Sequence, residues 1–211
     1  MKAVVFGGAE ISNYNFCNEY IKNSIIVCCD SGVQHAFKLG IIPDVIVGDF
    51  DSADVCTIDY FKGKNVPFKT YPTHKDETDI ELGLDAAMEM GATDITIIGG
   101  IGSRMDHTMA NCHLLLYLLK NGINARMVNE NNEIQVIDKK AELLGKSGDL
   151  VSLIPLSLEV RGITTRGLEY PLNNAVLTLD DRLIGVSNVM LDTTAEITLE
   201  EGYLYVMRCI D

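Results

Sequence analysis

Pro43-Asp44-Val45-Ile46-Val47-Gly48-Asp49-Phe50-Asp51-Ser52 carries an unbroken apolar run into two acids. Residues 45–47 show no polar alternation, so a strand there is buried on both faces, as strands are in parallel sheets covered by helices. The pattern recurs on either side. Residues 3–6, 25–29 and 95–98 are short runs rich in β-branched residues, each ended by Gly or Asp. Helical patterns separate them, clearest over residues 79–90 and 106–119. In the second helix Met109, Cys112, His113, Leu116 and Leu119 share one face, which predicts a well-buried element. The N-terminal part therefore reads as an open, mostly parallel α/β domain.

After about Arg126 the pattern changes. Residues 134–137, 150–154, 158–160, 175–179, 196–199 and 204–207 are short strands between turn residues, with no helical period of useful length. This tail reads as an antiparallel sandwich or barrel, too small to be more than marginal alone. Two domains are expected, 1–128 and 129–211, without a flexible linker or repeat.

The 211 residues include 17 Lys and Arg against 30 Asp and Glu, a net charge of −13 and a pI near 4.6. Such acidity excludes a non-specific nucleic-acid binder, which needs a basic face, and electrostatic docking on anionic lipid. Residues 3–6 are too brief for a signal-peptide core, and no stretch approaches the roughly 18 apolar residues of a membrane span. The six cysteines show no CxxC spacing and read as buried free thiols. The expected location is the cytoplasm.

Four places along the chain carry chemistry. Asp49 and Asp51 follow a buried strand at i, i+2. In extended backbone both carboxylates point to one side, at the carboxyl end of a parallel strand where open α/β sheets hold ligands. Two converging hard oxygens suit Mg²⁺ shared with substrate phosphates. Capping of the next helix by Asp51 or Ser52 would account for one acid, not two. Lys75-Asp76-Glu77-Thr78-Asp79-Ile80-Glu81 opens a helix. Asp76 as N-cap with Asp79 three residues on resembles a capping box, yet four acids in six positions exceed what capping needs. Asp79 then becomes a third carboxylate for one metal cluster, and Lys75 a phosphate contact.

Gly99-Gly100-Ile101-Gly102-Ser103-Arg104-Met105-Asp106-His107 is a Gly-rich turn into a helix. It is neither GxGxxG nor a Walker A loop, but glycines and a helix N-terminus suit a phosphate, and Arg104 can grip one bidentately. His107 and Asn111 lie beside it, the histidine as an orienting donor. Cys28-Cys29-Asp30-Ser31-Gly32 is another strand end, where Asp30 holds a ribose hydroxyl or a phosphate-bound ion, or caps the helix. His35, His74 and His113 lack ligand spacing and read as structural or surface groups.

Taken in order, strand-Asp30-Ser31-Gly32, Pro43-Asp44-x-Ile46-x-Gly48-Asp49-Phe50-Asp51-Ser52, Lys75-Asp76-x-Thr78-Asp79 and Arg104-x-Asp106-His107-x-x-x-Asn111 resemble the thiamine pyrophosphokinase family. The resemblance continues more thinly through Gly167-Leu168-Glu169-Tyr170-Pro171-Leu172 and Gly185-Val186-Ser187-Asn188. It implies a β-sandwich for the C-terminal part, used for thiamine binding and dimerisation. It also implies transfer of a diphosphate from ATP to the hydroxyethyl group of thiamine, giving thiamine diphosphate and AMP. By motif, Asp49, Asp51 and Asp79 would hold Mg²⁺ with Asp76 nearby. Asp30, Gly32, Lys75, Gly100, Gly102, Arg104, Asp106, His107 and Asn111 would line the nucleotide region, and Ser187 and Asn188 would face thiamine. A homodimer is implied, with thiamine where one subunit's sandwich meets the partner's α/β domain. Two departures stand out: Ser31 replaces the family's second glycine, and the chain has no Trp.

Other enzyme classes fit less well. A haloacid-dehalogenase-like phosphatase also has Asp-x-Asp after a strand, but opens its chain with it and leaves the Arg104-Asp106-His107 motif unused. A pyrophosphokinase acting on a pterin alcohol shares the α/β motifs but not Ser187-Asn188. A non-catalytic nucleotide-binding regulator has no use for three carboxylate groups. Asp30, Asp49, Asp51, Asp76, Asp79 and Asp106 make six of the 30 acids, nearly half of the net charge. A cleft lined by them repels free ATP and accepts its magnesium complex.

Overall fold

The computed structural model describes residues 1–72, 76–180 and 185–210. Its contacts divide into two units, Met1–Glu130 and Asn131–Asp211. In the first, β1 (Lys2–Phe6), β2 (Ile25–Cys29), β3 (Val45–Gly48), β4 (Phe68–Thr70), β5 (Asp94–Ile98) and β6 (Asn124–Val128) alternate with five helices. These are α1 (Cys17–Ile21), α2 (Val33–Leu39), α3 (Val55–Gly63), α4 (Asp79–Glu89) and α5 (Met105–Lys120). The six strands are parallel, in the order β6-β5-β1-β2-β3-β4. β1 lies in the middle, so the chain winds outward from it to β4 and then returns to add β5 on its other side. That reversal is a topological switch point, where doubly wound sheets open a crevice at the strands' carboxyl ends.

Val4, Phe6, Cys28, Ile46 and Ile98 are all fully buried, the two-sided burial that apolar runs without alternation predict. α4 lies against β1, β2 and β3, and its Gly83 is where helix and sheet approach: a Cβ there would run into Cys29 Sγ. α5 packs on β6 through Leu115 and Leu118, with Asn111 also buried. The apolar stripe expected to be buried is not. Met109 is 56% exposed and His113 is exposed, because α5 is apolar on several sides and only one side meets the sheet. Cys56 is exposed as well, unlike the buried thiols foreseen.

The second unit holds β7 (Asn132–Ile137), β8 (Lys140–Leu144), β9 (Leu150–Pro155), β10 (Glu159–Arg166), β11 (Ala175–Thr178), β12 (Asn188–Val189), β13 (Thr194–Thr198) and β14 (Leu204–Cys209). They form two antiparallel layers, β12-β9-β14-β7 and β11-β10-β13-β8. β8 alternates buried and exposed residues and β9 buried and half-buried ones, and Leu143, Val151, Leu153, Val160 and Ile197 fill the core between the layers. Arg208 pairs with Glu133 at 3.2 Å and Asp149 at 3.0 Å, tying β14 to β7 and to the turn that leads into β9. Among the described residues no helix is long and apolar enough to cross a membrane.

Candidate active site

A cleft of about 660 Å³ opens at the switch point. Its floor is backbone on backbone. A Cβ on Gly7 would sit 2.6 Å from Gly99 O, and one on Gly32 would strike Phe6 O and approach Gly7 O to 2.9 Å. The turns after β1, β2 and β5 therefore touch through their glycines, with the Ile80 side chain packed against Gly7.

Asp49 and Asp51 converge, but not by strand alternation. β3 ends at Gly48, and Phe50 has φ +64°, the left-handed region that a bulky residue adopts only when held there. Its ring packs edge-on against Phe68 at 5.4 Å. The turn so made lets the Asp51 N–H donate to Asp49 Oδ1 at 3.1 Å. Asp30, itself at φ +46°, completes the group: Asp30, Asp49 and Asp51 each bring an oxygen within 4.8 Å of the others. Asp30 Oδ2 accepts from the Ser52 hydroxyl, whereas its Oδ1 is buried without a partner. The Asp49 carboxylate beside it pushes the Asp51 carboxyl up, with smaller effects of burial and of Asp30 and Asp79. Crowded hard oxygens and an orphaned buried carboxylate atom fit a divalent cation.

Helix capping falls elsewhere. α3 is capped by Asp54, which accepts from Thr57 N at 2.9 Å, so neither Asp51 nor Ser52 is needed. α4 is capped by Thr78 in a capping box with Glu81, not by Asp76, because Asp79 is already its first helical residue. Asp30 caps nothing through its side chain. Asp79, Thr78 and Glu77 line the cleft; Asp76 is exposed and does not, and Lys75 and His74 lie outside the described residues.

Gly100, Gly102, Arg104, His107 and Asn111 line the opposite side. Asn111 is spent on the turn itself, donating to Gly100 O at 2.8 Å, and Thr108 Oγ1 accepts from Gly102 N at 3.1 Å. Arg104 is exposed and holds Asp106 at 2.6 Å; these bonds bring the Asp106 carboxyl down to about 2. Gly32 is buried within the packed turns and does not line the cleft. Gly8, Ala9 and Glu10 also line the cleft and were missed in the sequence, although Gly7-Gly8 after the first strand is the same signal as the other glycine turns.

Ser187 and Asn188 belong to the second unit. Ser187 has φ +59° and is exposed. Asn188 is buried: its Oδ1 accepts from Tyr170 N at 3.0 Å and its Nδ2 donates to Tyr170 O at 2.6 Å. It thus pins a loop whose Tyr170 is 63% exposed.

A doubly wound unit with carboxylates and glycine turns at its strand ends, followed by an antiparallel sandwich, defines a two-domain α/β–β class with a small-molecule cleft. The family description "Thiamin pyrophosphokinase, catalytic domain" matches residues 17–127, and "Thiamin pyrophosphokinase, vitamin B1 binding domain" matches 132–204. The chain belongs to the thiamine pyrophosphokinase family. It is 30% identical over 192 residues to the thiamine pyrophosphokinase of Bacillus subtilis (strain 168), covering 90% of this chain and 89% of the relative. The crystal structure of thiamine pyrophosphokinase from Bacillus subtilis superposes with a TM-score of 0.89 at 27% identity, covering all of both chains. The thiamin pyrophosphokinase from Candida albicans shares the fold, with a TM-score of 0.84 at 16% identity over 99% of this chain and 90% of that one.

Proposed function

We propose that the chain transfers a diphosphate from Mg-ATP to thiamine, giving thiamine diphosphate and AMP. The observation that carries this reading, in a chain of this family, is the convergence of Asp30, Asp49 and Asp51 with one carboxylate oxygen left buried and unpartnered. Asp49 and Asp51 would hold Mg²⁺, with Asp79 at the same rim; Asp30 joins them as a ligand rather than holding a ribose. The metal supplies charge neutralisation for the phosphates. Arg104 and the Gly99–Gly102 turn bind them, since such transfer is largely positioning. By motif, Lys75 would contact a phosphate and Asp76 would lie near the metal. The thiamine hydroxyl attacks the β-phosphorus, AMP leaves, and the alcohol proton passes to Asp51 or Asp79.

Thiamine would be held at Ser187 and at the Tyr170 loop that Asn188 pins, within a homodimer that brings one chain's sandwich to the partner's α/β unit. The reaction is placed in the cytoplasm, in line with six free cysteines.

The test is purified protein with ATP, Mg²⁺ and thiamine. Equal yields of AMP and thiamine diphosphate support the reading, and inorganic phosphate without AMP points to a phosphatase. Asp49→Asn should abolish turnover with an unchanged circular dichroism spectrum. Surviving activity would sink the metal assignment.

A further inference from the structure

We propose that His35, which does not line the cleft, is a positioning residue for the nucleotide: it fixes the backbone of the loop after β1 and so sets nucleotide affinity. The inference rests on the reading that this cleft binds Mg-ATP.

His35 lies on α2 and is 5% exposed. Its Nε2 is 3.0 Å from Ala9 O and its Nδ1 2.7 Å from the Tyr14 hydroxyl. A carbonyl can only accept, so Nε2 carries the proton and Nδ1 accepts from Tyr14. One tautomer is thereby selected. Burial, the main effect, and the Lys38 charge on the same helix disfavour the charged ring and outweigh the hydrogen bonds to the Ala9 and Gly7 backbone and the Glu130 charge, which favour it. The rings of Phe6 and Tyr14 pack beside it, at 6.0 and 5.7 Å.

What the neutral ring holds matters more than its state. Ala9 lines the cleft between Gly8 and Glu10. Its N–H donates to Gly99 O at 3.0 Å, so this peptide is fastened to the Gly-rich turn on one side and to His35 on the other. Further along, Glu130 Oε1 accepts from Ser12 N at 2.6 Å and Asn13 N at 3.0 Å. Between β1 and α1 the chain forms no strand or helix; backbone bonds to Ile98 and Gly99 and the side chains of His35 and Glu130 hold it. Without His35, Ala9 O and the Tyr14 hydroxyl lose their partner, and the loop can leave the cleft wall.

Steady-state kinetics of three variants test this. His35→Leu should raise KM for Mg-ATP about tenfold, the scale of one lost hydrogen bond beside a stranded polar group. kcat and the thiamine KM should not change. His35→Gln, whose carboxamide can donate to Ala9 O and accept from Tyr14, should restore the nucleotide KM. Tyr14→Phe keeps the Ala9 bond but frees the tautomer, and should give a smaller rise in the same constant; it carries the test if the leucine variant does not fold. Calorimetric titration with Mg-ATP alone should follow the same order. An unchanged nucleotide KM in both His35→Leu and Tyr14→Phe, or a loss in kcat alone, overturns the role. Wild-type protein that neither binds Mg-ATP nor turns over would instead overturn the reading of the cleft.

Discussion

Gly8 and Ser31 show how closely single residues are matched around this cleft. A Cβ on Gly8 would collide with the Ser31 hydroxyl oxygen, and no other atom stands as near. The hydroxyl ends a rotatable side chain, so Gly8→Ala should destabilise by no more than about 1 kcal/mol, and Ser31→Gly in the same chain should recover most of it. Urea unfolding of the two single variants and the double variant measures the coupling; strict additivity would mean that the alanine finds another way out. Ser31 is the departure from the family pattern, and the contact explains how it is accommodated. At this scale the sequence marked Asp49 and Asp51 as a pair but not how they meet. Asp49 and Asp51 were legible from their spacing, whereas their convergence depends on left-handed Phe50, a conformation that sequence leaves unmarked for a phenylalanine. Asp30 could be read three ways until its buried, unpartnered Oδ1 was seen beside the pair.

Among the elements, α4 is the one whose entry bears most directly on the cleft. Its capping box sets Asp79 at the rim, so Thr78→Ala should cost about 1 kcal/mol of stability and lower turnover as the first turn frays. Thermal unfolding with activity assays checks both; full activity at unchanged stability would show that the helix start needs no cap. The extent of α4 was legible from periodicity, residues 79–90 against Asp79–Glu89, but its cap was not, since Asp76 and Thr78 are both good capping residues. α5 was harder. Its apolar residues surround it, so period alone could not tell the stripe through Leu115 and Leu118 from the one through Met109. β4 escaped notice because it is a three-residue edge strand, half-buried at Phe68 and Lys69 and exposed at Thr70.

For the whole molecule, the acidity and the fold act together. Part of the net charge of −13 is gathered where β2 and β3 end, at Asp30, Asp49 and Asp51, whose mutual repulsion a divalent cation would offset. Saturating Mg²⁺ at about 100 times its Kd should stabilise the folded chain by about 2.7 kcal/mol. Asp49→Asn should lose most of that gain. Melting curves with and without chelator decide it, and equal shifts in both proteins would place the ion elsewhere. The α/β-then-sandwich architecture was legible because burial on two faces and burial on one leave different periods in sequence. The winding order was not, and it has a consequence in time. β1 is made first yet is flanked by β5, and the loop that follows it is tied at Ser12 to Glu130, 118 residues later. At typical synthesis rates of about 5–20 residues per second, that bond waits roughly 6–24 s for its partner to leave the ribosome. The first strand to be made keeps an open edge until β5 follows, and the loop it leads into waits longer still, for the last residue of its unit.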